Sequence, residues 1–383
     1  MNTAYSFEIY SAVTELPFDW DQVASRNIFL SVAYLRVLEE SAPENMECRF
    51  IGIFKAGRLC GVSVSQFISL TKIESFGERD SRLKTKIRHF FFKIFGANVL
   101  ILGNNMLTGQ NAFVFTPDVM PADGLYVLHA AVEKIQKMHA AAGRKTHLTI
   151  FKDFYPSDAS YFTAAGFSNY FTFSTQPNMV LTFRSTWDSF EDYLRSITKK
   201  YRDQYKRARK KSDGIEKRKL NLHEMEQYKS HIHELYLTVA RNAPFNTFYL
   251  SNDHFTSLKR NLGEKFYFYG YFEKETLVGF STLIANGAGI DTYFLGYDEQ
   301  CQREKMLYLN MLYDMTAFSL NNRYRKVIFA RTALEIKSSV GAVPQQMIGY
   351  MRHSNRLLDY FLPRLFRYFE PDTSWQQRHP FKD

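Results

Sequence analysis

The chain has 383 residues, 45% hydrophobic and 16% aromatic, which is core material for two or three domains and excludes a disordered or fibrous protein. Its formal charge is +10, and twelve Lys and Arg against three acids in residues 195–219 supply nearly all of that excess, so an anionic partner is expected at one place rather than over a generally basic surface. Three scattered cysteines, Cys48, Cys60 and Cys301, and two histidines only two apart, His231 and His233, give no metal-ligand spacing; no run nears the ~18 apolar residues of a spanning helix and the first residues lack a signal pattern, which together place the chain in the cytoplasm.

Residues 6–12 are expected to open the chain as a strand, followed by helical stretches to about residue 42 and a hairpin, 48–54 and 59–69 around a turn at 55–58. That hairpin has a twin. Gly52, Phe54, Leu59, Gly61 and Ser63 recur without a gap as Gly270, Phe272, Leu277, Gly279 and Ser281. The following elements agree too: strands at 99–103 and 113–116, a helix at 125–142 and a strand at 147–151 after the first copy, and a strand at 291–296, a helix at 306–320 and a strand at 327–330 after the second. The first half then adds a short helix ending at Gly166 and an aromatic strand, 170–173. We therefore read an α/β (α+β) chain of two tandem modules, each a mixed sheet flanked by helices, residues 1–184 and 185–383.

Three other segments are amphipathic. The helix expected over 189–211 carries Phe190, Tyr193, Ile197, Tyr201, Tyr205 and Ala208 as an apolar stripe with Arg and Lys elsewhere. Its Arg202, Lys206 and Arg209 suit the phosphates of a nucleic acid, a bilayer or a pantetheine-phosphate donor, although a solvated face explains a charge run as well. Segment 82–95 puts Leu83, Ile87, Phe90, Phe91 and Ile94 on one face of a basic helix, and the helix expected over 357–369 carries Tyr360, Phe361, Leu365 and Phe366. Packing within the protein and peripheral contact with the inner face of a membrane both fit such helices. The helix at 306–320 is apolar nearly all round and is expected in a core.

Arg331, Glu335 and Lys337 fall within seven residues, directly after the buried strand at 327–330 and before Gly341 and Pro344. Ionisable groups at such a place are costly unless they are paired or face a cleft, so a pairing role and a catalytic role both stand. This element order, with Gly166 and Gly341 closing a short helix in each half, resembles the GNAT acyltransferase fold. Two such modules in series resemble the Fem-type peptidoglycan aminoacyltransferases and a related group of predicted N-acyltransferases. Ile336, Lys337 and Gly341 are similar to the Phe-Lys-x-x-Phe-Gly turn of the former, Glu335, Lys337, Gly341 and Pro344 to the Glu-His-Lys turn of the latter, and Arg202, Lys206 and Arg209 to the Arg-rich helix that opens the second module in both.

The resemblance implies transfer of an acyl group from a thioester to a primary amine, with no metal and no bound cofactor, and with acyl-CoA or acyl carrier protein as co-substrate. GNAT proteins hold the donor's pyrophosphate on amides at a helix N-terminus. The corresponding loop here, 298–305, leads into a stretch with no glycine from Glu304 to Leu309, so either Gln302, Arg303 and Lys305 meet the phosphate, with Tyr297 lining the same cleft, or the donor differs. Fem-type relatives take theirs from aminoacyl-tRNA. The resemblance gives Lys337 the stabilisation of the carbonyl oxyanion. Glu335 fits both a base for the attacking ammonium and a partner of Arg331 or Lys337. Phe162 stands where the first module would carry its own Lys337, so that module is expected to be a structural or acceptor-binding half. The favoured function is N-acylation of a lipid or cell-envelope amine. One alternative is an aminoacyl-tRNA-dependent peptidoglycan aminoacyltransferase, and another is a non-catalytic scaffold that binds a membrane or an acidic partner.

Overall fold

In a computed structural model the chain is described for residues 5–70, 96–174, 176–242, 246–369 and 375–382; the amphipathic segment 82–95 lies outside them. The strands in chain order are β1 Tyr5–Tyr10, β2 Met46–Lys55, β3 Arg58–Ser69, β4 Asn98–Leu102, β5 Phe113–Phe115, β6 Leu148–Phe154, β7 Phe171–Ser174, β8 Asn178–Thr182, β9 Ile215–Lys219, β10 Phe266–Glu273, β11 Thr276–Asn286, β12 Gly289–Tyr297, β13 Lys326–Ala330, β14 Val343–Gln345 and β15 Ile348–His353. The helices are α1 Trp20–Ala24, α2 Val32–Ser41, α3 Pro121–Ala141, α4 Ala159–Ala164, α5 Phe190–Ser196, α6 Lys199–Lys211, α7 Leu222–Gln227, α8 Lys229–Arg241, α9 His254–Leu262, α10 Glu299–Lys305, α11 Leu307–Asn321, α12 Leu334–Ser339 and α13 Arg356–Phe369. Met1–Thr175, Pro244–Ser251 and Gln346–Asp372 make one compact unit, and Gln176–Ala243, Asn252–Gln345 and Thr373–Asp383 make the other.

The first unit's sheet runs β1-β2-β3-β4-β6-β15-β7, with β5 also on β3, and the second unit's sheet, read in the same sense, runs β9-β10-β11-β12-β13-β8-β14. Position by position this is one order. The sixth place is held by β15 in one sheet and β8 in the other, so each sheet takes that strand from outside the run of chain that builds its first five.

The repeated hairpin is the same object twice. Ile53 faces Gly61 but Phe54 faces Leu59, leaving Cys60 as the bulged residue; Tyr271 faces Gly279 but Phe272 faces Leu277, leaving Val278. Three of the five shared residues form one packing unit. A Cβ on Gly52 would meet Phe54 and Leu59, each at 3.2 Å, and one on Gly270 would meet Phe272 at 2.8 Å and Leu277 at 3.0 Å. The glycine is therefore the floor on which the Phe and Leu of its own hairpin lie, and that local requirement is why the pattern is preserved.

Each sheet is buried against helices. In the first unit Ile51, Ile53, Leu100, Leu102 and Phe151 of the sheet pack on Leu125, Leu128, Val132 and Ile135 of α3, the apolar stripe of a helix opened by Pro121 at its first position. In the second, Leu283, Ile290, Val327 and Phe329 pack on Leu307, Met311, Leu312 and Met315 of α11.

Two expectations are corrected. The helix foreseen over 189–211 is two helices, because Ile197 is extended (φ −79°, ψ 152°) and its neighbours pair with the chain's last residues: Thr198 N–H donates to Pro380 O at 2.8 Å and Lys382 N–H to Ser196 O at 2.9 Å. Two β-branched residues have been taken out of the helix by a ladder with a distant segment. The loop foreseen at 298–305 is mostly helix α10, capped by Asp298, whose carboxylate accepts from Cys301 N–H at 2.7 Å. Among the described residues no helix is long and apolar enough to cross a membrane.

Candidate active site

The two sheets differ where the fourth and fifth strands run parallel. In the first unit β4 leaves the sheet after Leu102 and β5 resumes pairing with β3 at Phe113. The excursion between them folds back onto the end of β6, where the buried Lys152 donates its Nζ to Asn104 O (3.1 Å) and Leu107 O (2.9 Å) and lies 2.6 Å from Asp153. In the second unit β12 makes only a local bulge opposite Thr282 and runs on to Tyr297. Its parallel ladder with β13 stops at Asp291 and Ile328, whereas Ala330 still pairs with Met179 of β8 on the other side. The strands part at their carboxyl ends, the place where open α/β sheets bind ligands.

Directly beyond this parting the backbone is strained. Ala330, Thr332 and Ala333 have φ of 58°, 65° and 47°, conformations that cost non-glycine residues about 1 kcal/mol or more each and persist only where the surroundings impose them. What imposes them is visible. Lys337 of α12 is 5% exposed and turns its Nζ back to Arg331 O at 2.5 Å and Ala330 O at 3.4 Å. Tyr193 of α5 donates to Val340 O at 3.0 Å, and Gln204 of α6 reaches Ser339 Oγ at 3.1 Å and Tyr313 Oη of α11 at 3.2 Å. Gly341 follows at φ 98°, and a Cβ there would lie 2.3 Å from Phe381.

Burial brings Lys337 down to about 7 and Arg331 down to about 10, since desolvation disfavours the charged form of each. Arg331 Nε donates to Gln176 O at 3.2 Å. Glu335 is not paired with either of them. It is exposed and binds Arg378, whose N–H also donates to Ser338 Oγ at 2.9 Å. In the first unit Phe162 of α4 occupies the place of Lys337, four residues before Gly166 as Lys337 is before Gly341, and is fully buried on Tyr350 with ring centroids 4.4 Å apart.

The donor-binding candidates separate into two groups. Several are engaged within the second unit: Arg202 binds Ile197 O, Arg209 pairs with Asp314 at 2.7 Å, Lys305 reaches Asp213 O at 3.0 Å and Glu273 at 3.3 Å, and Gln302 Oε1 accepts from Tyr308 N–H at 3.0 Å. That last bond fills part of the N-terminus of α11, which starts after Met306 at φ 53°. Lys206 and Arg303 are exposed, and Tyr297 is half-buried with its phenol pushed up by burial.

Sequence reasoning passed over Asp314. A lone acid in an otherwise apolar helix must have a partner, and here it has three: Arg209, Lys217 at 3.9 Å and Tyr271 Oη at 3.0 Å. Arg378 gave no local signal. Asp291, at the last rung of the β12–β13 ladder, is buried, and burial lifts its carboxyl to about 7 against the opposing effects of Asn286, 3.4 Å away, and Lys326. Between its unfolded value near ~4 and about 7 the folded protein keeps a proton that the unfolded chain has released, so stability falls as pH rises through that window. Asp291→Asn should therefore match the parent at pH 4 and exceed it at pH 8, by up to a few kcal/mol. Thermal melts at both pH values check this, and a gap that does not change with pH would refute it.

No family model matches the chain, and the search of curated proteins finds none that matches it. Solved structures do match its fold. FemX aligns with a TM-score of 0.54 at 10% identity over 95% of this chain and 100% of its own. A conserved protein of unknown function from Bacteroides thetaiotaomicron aligns with a TM-score of 0.51 at 11% identity, covering 90% and 99%. A tandem GNAT protein from the clavulanic acid biosynthesis pathway aligns with a TM-score of 0.49 at 10% identity, covering 91% and 99%. The chain has the fold of FemX, with two units that are each a mixed sheet flanked by helices.

Proposed function

We propose that the second unit transfers an acyl group from a thioester, acyl-CoA or acyl carrier protein, to a primary amine of a lipid or cell-envelope precursor. The observation that carries this reading is Lys337, a buried cation on a strained turn at the point where β12 and β13 part. The amine, having given up a proton, attacks the thioester carbonyl carbon. A C–N bond forms and the carbonyl oxygen takes the negative charge. An ammonium has three N–H bonds; Lys337 directs two of them at Ala330 O and Arg331 O, and the third meets the oxyanion. Collapse breaks the C–S bond, the bonded nitrogen gives its second proton to the departing thiolate, and the first, lost by the ammonium before attack, passes on to solvent. Glu335 is the proposed acceptor of that first proton, exchanging Arg378 for the substrate ammonium. Arg303 and Lys206, which make no ion pair among the described residues, would meet the donor's phosphate. The first unit, with Phe162 in the place of the lysine, would hold the acceptor or serve the structure.

One observation favours an aminoacyl-tRNA donor instead: α6 leaves Lys199, Lys200, Lys206, Arg207, Lys210 and Lys211 exposed along 13 residues. Mass spectrometry of lipid extracts and peptidoglycan fragments separates the readings, using cells with the gene intact, deleted or carrying Lys337→Met. Loss of an N-acylated lipid with accumulation of its free amine, in both altered strains, supports thioester-dependent acylation. Loss of a peptidoglycan amino-acid branch moves the donor to aminoacyl-tRNA. Normal envelopes with Lys337→Met would leave only a scaffold.

A further inference from the structure

The first unit has a cationic cleft to which the catalytic steps above give no role. It encloses about 660 Å³ between the C-terminal half of α3, β15 and the start of α13. Four cations line it, Lys137, Lys145, Arg352 and Arg356, against the carboxylates of Glu133 and Asp359. Asp359 is already committed, accepting from His353 N–H at 2.6 Å. All four cations are exposed, and among the described residues none of them makes an ion pair.

Helix α13 continues from the rim of this cleft. Its inner side is anchored by Leu362, buried with Phe173 and Met351. Its outer side shows Leu357, Tyr360 and Phe361 at 67%, 71% and 38% exposure. At 100° per residue these three share one half of the helix with Arg356 and Arg364, whose guanidinium lies 6.0 Å from the Phe361 ring. Apolar groups held in water beside arginines that make no ion pair among the described residues are the composition of a helix that lies in the headgroup layer of a bilayer, with apolar side chains inserted and arginines reaching back to phosphate.

We infer that the first unit docks on an anionic phospholipid surface, with lipid phosphates in the cleft and Leu357, Tyr360 and Phe361 in the upper acyl region. Nucleic acid would satisfy the cations but leave these three side chains in water, and charge complementarity together with the apolar face selects the bilayer. The docking is independent of the acyl transfer proposed above and is read without any donor, so either can fail without the other.

The test is co-sedimentation of the full chain with vesicles of neutral phosphatidylcholine, and of the same lipid with about a third phosphatidylglycerol. Binding is expected only to the anionic vesicles, falling as salt rises. It should weaken about tenfold in Leu357→Ser/Tyr360→Ser and again in Arg352→Glu/Arg356→Glu, all at exposed positions where folding is not at stake. Tyr360→Trp should give an indole quenched by lipids brominated on their acyl chains. Equal binding to both vesicle types, an unquenched indole, or binding lost on Lys206→Glu/Arg207→Glu but kept in the α13 variants would overturn the inference. So would binding of RNA that the cleft variants abolish while vesicle binding is absent.

Discussion

Lys337→Met is expected to cut turnover by about 10²–10³-fold with little change in the KM for the donor, because one preorganised oxyanion donor is worth roughly 3 kcal/mol in the transition state and little in the ground state. The pH profile gives a sharper test than the loss itself. With Lys337 held at about 7 by burial, the parent should lose the cation, and with it rate, as pH rises through neutrality. Lys337→Arg, slower overall, should lack that alkaline limb. The same residue also acts on stability. Between about 7 and its unfolded value near ~10.4, the unfolded chain holds a proton that the folded protein has lost, so the parent's stability rises with pH across that window. Melts at pH 6 and pH 10 should therefore show the parent gaining on Lys337→Met. Full turnover in the variant, or a parent–variant gap independent of pH, would remove Lys337 from the site.

Gly296→Ala should have the largest effect on folding. Gly296 sits in β12 where the sheet meets α8, and a Cβ there would lie 2.5 Å from Leu235 C and 2.6 Å from Tyr236 N of that helix. Side chains can rotate away, but helix backbone cannot, so α8 must lift from the sheet. The expected loss is about 3 kcal/mol or more, a fall of roughly 10 °C in Tm for a unit of this size. Gly61→Ala, whose Cβ would meet the Phe115 ring at 2.8 Å, is the control, since a ring can yield where a main chain cannot. A Tm change in Gly296→Ala no larger than in Gly61→Ala would contradict the account.

What could be read in the sequence was set by local physics. The duplicated hairpin was legible because Gly52 and Gly270 are required by a Phe and a Leu of the same hairpin. The short helix before Gly341 was legible because its glycine, like Gly166, takes a left-handed conformation. The break at Ile197 was not legible, since its cause is the pairing with residues 380–382. Nor was the pairing of Glu335 with Arg378, 43 residues away; sequence reasoning considered only neighbours in the same turn. Asp314 was a different failure. Its partners were distant, but an acid among Leu, Met and Tyr was itself a signal that a cation must come to it.

The position of β15 between β6 and β7 has a consequence for how the protein is made. While the chain emerges from the ribosome, the sheet begun by the earliest strands stays incomplete, with bare edges on β6 and β7, until residues 348–353 have left the exit tunnel. The late segment closes the early sheet, so a nonsense codon just before residue 348 would do its first damage in strands encoded about two hundred codons upstream of it.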